Sequence, residues 1–171
     1  ILSRFAQTYP LVQVELHCEP SFQLLQRQDL DLTIVTREPG TEIGQLLRQE
    51  RIVWAEAHGF SPHEQEPLPL AMFNAQCFCR SWACNALDAM EREYRIAYTS
   101  PSLSAIMAVV SAGLAITAQL QSLITPDMRI IGTAEGLPVM PSASIVLLRN
   151  SQTQSQVTET LAEQIVEGFR L

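Results

Sequence analysis

Hydrophobic positions along this chain switch between two periods, and the switches mark its elements. Ile96–Thr99 is a short β-prone run, and Leu103, Ile106, Met107 and Val110 then recur at helical spacing. Between them, Ser100 and Pro101 supply an N-cap and a proline at the first helical position. Gly113 stands just past the last periodic residue, where glycine ends a helix in the left-handed conformation. Leu114–Ala118 returns as a buried strand. The stretch from Arg95 to Ala118 is therefore expected to be a βαβ unit. Its hydroxyl-rich helix start falls at the carboxyl end of a parallel strand, the edge where open α/β sheets bind small ligands.

The same pattern extends in both directions. Ile1, Leu2, Phe5 and Ala6 mark one face of a helix ending near Tyr9 and Pro10. Val12, Val14 and Leu16 alternate with Gln13, Glu15 and His17, the period of a half-buried strand. Ser21 is placed as the N-cap of a short helix through Leu24 and Leu25, and Leu30–Thr36 as a second strand. Leu46–Ala57 is strand material interrupted by Arg48, Gln49, Glu50 and Arg51. Gly59–Pro69 holds three prolines, two glutamates and a histidine and is read as a crossover between lobes. Leu70–Phe73 is a strand, and Trp82–Tyr94 a helix with Ala83, Leu87 and Met90 facing inward. Arg129–Ile131 is another strand and Gly136–Pro141 a second crossing. Ser144–Leu148 closes as a strand, followed by an amphipathic helix carrying Val157, Leu161, Ile165 and Phe169. Two crossings divide the chain into one lobe of residues 1–58 and 142–171 and another of residues 59–141.

Composition narrows the class. A chain of 171 residues with 47% hydrophobic content can bury a substantial core, and its Leu, Ala, Ile and Val suit helices packed on sheets. The net charge of −7 repels phosphate backbones, so these residues are not expected to bind nucleic acid themselves. No apolar run reaches membrane-span length, and Ile1-Leu2-Ser3-Arg4-Phe5 does not read as a secretory signal. Cysteines 18, 77, 79 and 84 fit no secreted disulfide framework, which points to reduced thiols in a cytoplasmic protein. The Cys77, Cys79, Cys84 spacing matches no common zinc pattern, so these are expected to be buried, inert thiols. His58 and His63, beside Glu56 and Glu64, read as polar residues of a solvated linker. There is no glycine-rich phosphate loop, no Gly-x-Ser-x-Gly elbow and no His-Glu-x-x-His, so neither an enzyme nor a bound cofactor or metal is expected.

Three motifs in order carry a family resemblance. Phe5 to Pro10 closes a helix ahead of an alternating segment, Leu30-Asp31-Leu32-Thr33-Ile34 follows, and Val109-Val110-Ser111-Ala112-Gly113-Leu114-Ala115-Ile116 completes the set. Together they resemble the effector-binding domain of LysR-type transcriptional regulators, with Ala115 in place of the motif's second glycine. Arg95–Ser102 is similar to the LrhA/PecT-like subgroup. The family's winged helix-turn-helix, its linker helix and the first strand of its effector domain are not among these residues.

The resemblance implies an α/β fold of two Rossmann-like lobes joined by two crossover strands, of the type 2 periplasmic-binding-protein kind. A small-molecule effector would sit in the cleft between lobes. The protein would form dimers or tetramers, and DNA would be bound only through the missing domain. Candidate ligand residues follow from helix starts after strands, whose free N–H groups favour a carboxylate: Ser21 in the first lobe, and Ser100, Pro101 and Ser102 in the second. Thr36 and Arg37 follow a strand at the same edge, and Arg37 could hold a carboxylate bidentately. Gln76 and Arg80 lie where the second lobe's first strand gives way to a helix. Ser21 and Ser100–Ser102 also read as plain caps, Arg37 as a solvated charge, and Phe73 as core. A solute-binding protein of an uptake system, or an enzyme on the same scaffold, are the competing readings.

Overall fold

The computed structural model describes residues 1–40, 43–153 and 155–170. The chain makes two compact units, Ile1–Gln49 with Ser144–Leu171, and Glu50–Ala143. Passage between them occurs inside two strands, β2 (Gln45–Ala57) and β7 (Ser142–Arg149). The expected crossover segments, 59–69 and 136–141, both lie within the second unit instead. Proline-rich composition marks a turn, but a paired strand can carry the chain onward without any break in composition. The charged cluster Arg48–Arg51 accordingly does not interrupt β2.

In the first unit, α1 (Leu2–Thr8) buries Phe5, whose ring meets Tyr9 at 5.2 Å between centroids. After α2 (Ser21–Leu24), β1 (Leu32–Arg37) pairs antiparallel with β7, from Leu32 opposite Arg149 to Arg37 opposite Ser144. Leu24, Val35 and Val146 pack on one face of this pair. Leu147, Ala162 and Ile165 pack on the other, where α5 (Gln156–Phe169) lies. The start of α5 is capped by Ser155, whose Oγ accepts the Thr158 N–H at 3.1 Å.

Two expectations fail here. Residues 12–16 are without a ladder partner, and Val12, Val14 and Leu16 are 40%, 40% and 70% exposed. Alternation declares which face is apolar, but only a neighbouring backbone makes a strand. Ser21 is not a cap either. The N–H groups of Gln23 and Leu24 bond to the Pro20 carbonyl, so the helix has already begun at Ser21.

The second unit is built on parallel pairing. β3 (Leu68–Met72) and β4 (Tyr94–Thr99) run parallel from Leu68 opposite Tyr94, and Ile116 bridges Leu70 in parallel on the other side of β3. Helices α3 (Phe78–Asp88) and α4 (Leu103–Ser111) make the connections, giving two successive βα units. β2 adds antiparallel pairing, with β5 (Thr117–Leu120) against Ile52–Ala55 and β6 (Met128–Ile131) against Trp54–Ala57. Trp54, Leu68, Leu70, Met72, Leu87 and Ile116 form one core, and Ala71, Ile106, Val110, Ala115 and Met128 a second. Helix α3 starts and ends earlier than its apolar spacing suggests, so Met90 lies beyond it and is half exposed. Strand β5 starts later than expected, leaving Leu114 half exposed.

His63 is buried rather than solvated. Its Nδ1 lies 2.7 Å from Glu56 Oε2, and Arg129 Nη2 donates to Glu56 Oε1 at 2.5 Å. Arg92 Nη2 donates to the His63 carbonyl. A carboxylate with no solvent exposure needs such partners, because stripping its water without replacement is prohibitive. The 59–69 loop is thus pinned to β2 of its own unit.

Candidate effector-binding edge

The carboxyl ends of β3 and β4 form the best-defined candidate site. At their close, the Ser100 N–H donates to the Met72 carbonyl at 3.2 Å, adding one rung to the ladder. The chain then turns on two serines. Ser100 Oγ accepts the Ser102 N–H at 3.1 Å, and Ser102 Oγ accepts the Ala105 N–H at 3.4 Å. Ser102, with extended backbone, is therefore the N-cap of α4, and the expected cap at Ser100 with Pro101 inside the helix is displaced by two residues. Pro101 and Ser102 are exposed, and the first turn of α4 carries no acidic residue. Its N–H groups and dipole leave the end open to an anion.

Beside it, β3 runs through Phe73 into the turn that starts α3. Arg80 Nη1 donates to the Phe73 carbonyl at 3.0 Å, so the guanidinium is fixed by backbone while the rest of its fork stays available. Gln76 is exposed in the same turn. The structure thus brings Gln76, Arg80, Ser100, Pro101 and Ser102 to one strand edge of one unit. In the other unit, the Thr36 N–H donates to Ser21 Oγ at 3.2 Å, tying the start of α2 to the end of β1. The side chain of Arg37, the last residue of β1, makes no hydrogen bond or ion pair among the described residues. Ser21, Thr36 and Arg37 form a second set, held by that unit alone.

One thiol at this edge departs from the buried, inert thiols expected of the Cys77, Cys79, Cys84 group. Cys77 is the N-cap residue of α3 and only partly buried. A hydrogen bond from Cys79 holds its thiol down to about 6, against the effect of burial, with help from backbone N–H groups and the Arg80 charge. Cys79, buried, is pushed up by the same contact and by desolvation. The signal was present as Cys-x-Cys-Arg at a strand-to-helix turn, but spacing says nothing about which thiol faces solvent. Among the described residues, no group of three or more His, Cys, Asp or Glu is arranged to hold a metal ion. No described helix is long and apolar enough to cross a membrane.

Parallel βα units in one compact unit, linked to another by two continuous strands, define a class, the α/β substrate-binding domains of the type 2 periplasmic-binding-protein kind. The LysR substrate binding domain matches residues 1–170, and the chain belongs to that family. It is similar to the HTH-type transcriptional regulator DgdR of Burkholderia cepacia, at 30% identity over 168 residues, covering 96% of this chain and 57% of DgdR. It is also similar to the HTH-type transcriptional regulator PecT of Dickeya dadantii, at 28% identity over 173 residues, covering 99% of this chain and 55% of PecT. The chain therefore spans about half the length of the curated relatives it matches, 57% and 55%. Among solved structures, the Synechocystis CcmR regulatory domain in complex with 2-PG shares the fold, with a TM-score of 0.74, 19% identity and coverage of 99% of this chain and 89% of that one. The effector binding domain of QuiR in complex with shikimate shares it too, with a TM-score of 0.67, 10% identity and coverage of 99% and 88%.

Proposed function

We propose that this chain is the effector-sensing and oligomerisation part of a cytoplasmic LysR-type DNA-binding transcriptional regulator, and not an enzyme. The observation that carries the reading is the α4 start at the carboxyl edge of β3 and β4, where nested serines leave an exposed helix end and Arg80 is fixed to the backbone just past β3. Such an end suits a small carboxylate. That two structural neighbours hold 2-PG and shikimate supports a small acidic ligand for this fold. A bound ligand biases the protein only by its difference in affinity between the protein's conformational states. DNA contact belongs to residues outside this acidic segment, and the response would be relayed through a homodimer or tetramer.

The test is a thermal-shift screen of the domain against small carboxylates, repeated on Arg37→Ala and Ser100→Ala. A carboxylate that raises the midpoint of the parent protein and raises it less in either variant supports the reading. Equal shifts in all three proteins would remove these residues from the site.

A further inference from the structure

Strand β5 buries polar side chains that pair with nothing. Among the described residues, Gln119 Nε2 and Thr117 Oγ1 are buried without a hydrogen-bond partner, and the two residues are 4% and 0% exposed. A buried donor left without an acceptor costs more than an ordinary hydrogen bond contributes, so each such group calls for a reason.

Strand register fixes where Gln119 stands. Ile116 lies opposite Leu70 of β3, with its N–H on the Pro69 carbonyl and its carbonyl on the Ala71 N–H. Leu70, Ile116 and Ala118 belong to one core, whereas Ala71 and Ala115 belong to the other, with Ile106 and Val110 of α4. By alternation Thr117 and Gln119 face α4 as well. Counting on from Ile116 sets Thr117 level with Ala71 and Gln119 level with Phe73, one residue past the end of β3. Helix α4 covers this face in the opposite direction, and the Leu114 N–H on the Val109 carbonyl ties its end to the start of the strand. From Val110 back to Ser102 is about 12 Å of helix, and from Ala115 on to Gln119 about 13 Å of strand. The unpaired amide therefore reaches the level of the exposed α4 start, while Thr117 lies one step deeper, under the middle of the helix.

We infer that Gln119 is a specificity residue of the effector edge, donating its amide N–H to a carbonyl oxygen of a molecule whose carboxylate lies on the α4 start. The inference rests on the effector reading of that edge and adds the second half of the ligand. The helix start, with its exposed N–H groups, suits the charge. Gln119 is a neutral donor, and Val53 opposite it on β2 and Ala71 and Ile106 on the same face are apolar. A second charge would be costly there, whereas a neutral carbonyl oxygen would not. Because the amide is unpaired before binding, a ligand that supplies its acceptor removes a cost that the ligand-free chain carries, and this favours the bound state. Neighbouring strands stand about 4.8 Å apart, so an oxo acid of a few carbons has the reach required.

Calorimetric titration with 2-oxobutanoate and 4-oxopentanoate, each beside the acid that lacks the carbonyl, butanoate and pentanoate, tests the assignment. In the parent chain at least one oxo acid should bind about tenfold more tightly than its counterpart, the scale of one buried hydrogen bond. In Gln119→Leu and in Gln119→Met that preference should vanish. Both variants should also melt about 2–4 °C higher without ligand, since an unpaired donor is gone. Thr117→Val should melt higher too and keep the preference. Lower midpoints in both Gln119 variants would show that the amide is already partnered, and would overturn the inference. So would an oxo acid that binds the parent and Gln119→Leu equally and is weakened only by Ser100→Ala, a result that leaves the effector edge standing and removes Gln119 from it. Absence of binding by all four acids would overturn the inference together with the carboxylate reading.

Discussion

Glu56 and His63, seven residues apart in the chain, meet at 2.7 Å in the interior of the second unit. Arg129 completes the arrangement from β6, so one buried carboxylate joins β2, the 62–64 turn and β6. Removing one member of such a group strands the others without a partner. Glu56→Ala should destabilise the protein by about 3 kcal/mol, the scale for breaking buried ion pairs, reduced somewhat because Arg129 is partly exposed. Urea unfolding measures this, and a loss below about 1 kcal/mol would show that water replaces the carboxylate at low cost.

Ser102 rather than Ser100 caps α4. Ser102→Ala should cost about 1 kcal/mol in chemical denaturation, the usual value of an N-cap hydroxyl. Ser100→Ala should cost less, because it loses only a local turn contact. The reverse order would restore the cap to Ser100.

Cys77 should be the reactive thiol of this chain. With its thiol at about 6, alkylation by iodoacetamide should rise with pH through that value and outpace the exposed Cys18 at pH 7. Cys79→Ala removes the leading cause of the shift and should move the midpoint upward. Peptide mass spectrometry over a pH series follows both sites, and identical profiles for Cys77 and Cys18 would contradict the assignment.

Asp29 is held at about 2 by Arg27, whose Nε and Nη2 reach its two oxygens at 2.6 and 2.5 Å. A depressed folded-state value means that the contact favours folding above the ordinary carboxylate value of 3.8 and is lost as pH falls from there through about 2. Carboxyl chemical shifts should place the Asp29 transition near 2 in the parent and near its ordinary value in Arg27→Gln.

Gly113 closes α4 at φ +71°, with its N–H on the Val110 carbonyl at 2.8 Å. A Cβ there would come within 2.2 Å of the Phe60 ring. Phe60 is half exposed and can swing aside, so the remaining cost of Gly113→Ala is chiefly the left-handed backbone, about 1–2 kcal/mol. Thermal denaturation reads this, and a neutral effect would mean that the turn relaxes to negative φ.

Much of this architecture was visible along the chain. Helical periodicity at Leu103–Val110, the glycine stop at 113 and the short β-prone runs around them are local properties, set by side-chain period and backbone freedom within a few residues. They were enough to place the βα units of the second lobe, the carboxyl edge with Arg80 and Ser100–Ser102, and the family motifs. Pairing is not local. The alternation of Val12, Val14 and Leu16 is as regular as that of any strand in the chain, yet without an adjacent backbone it makes none. The unit boundary fell inside continuous strands for the same reason, since a ladder crosses it without a change of composition. Burial was hidden too. His63 and Glu56 read as solvated because they fall at a proline-rich turn, whereas Arg129 and Arg92, far along the chain, take the place of water. Periodicity, caps and turns were settled by the order of residues, and partnership between distant backbones and charges by the folded chain, because the energy of a pair depends on who arrives beside it.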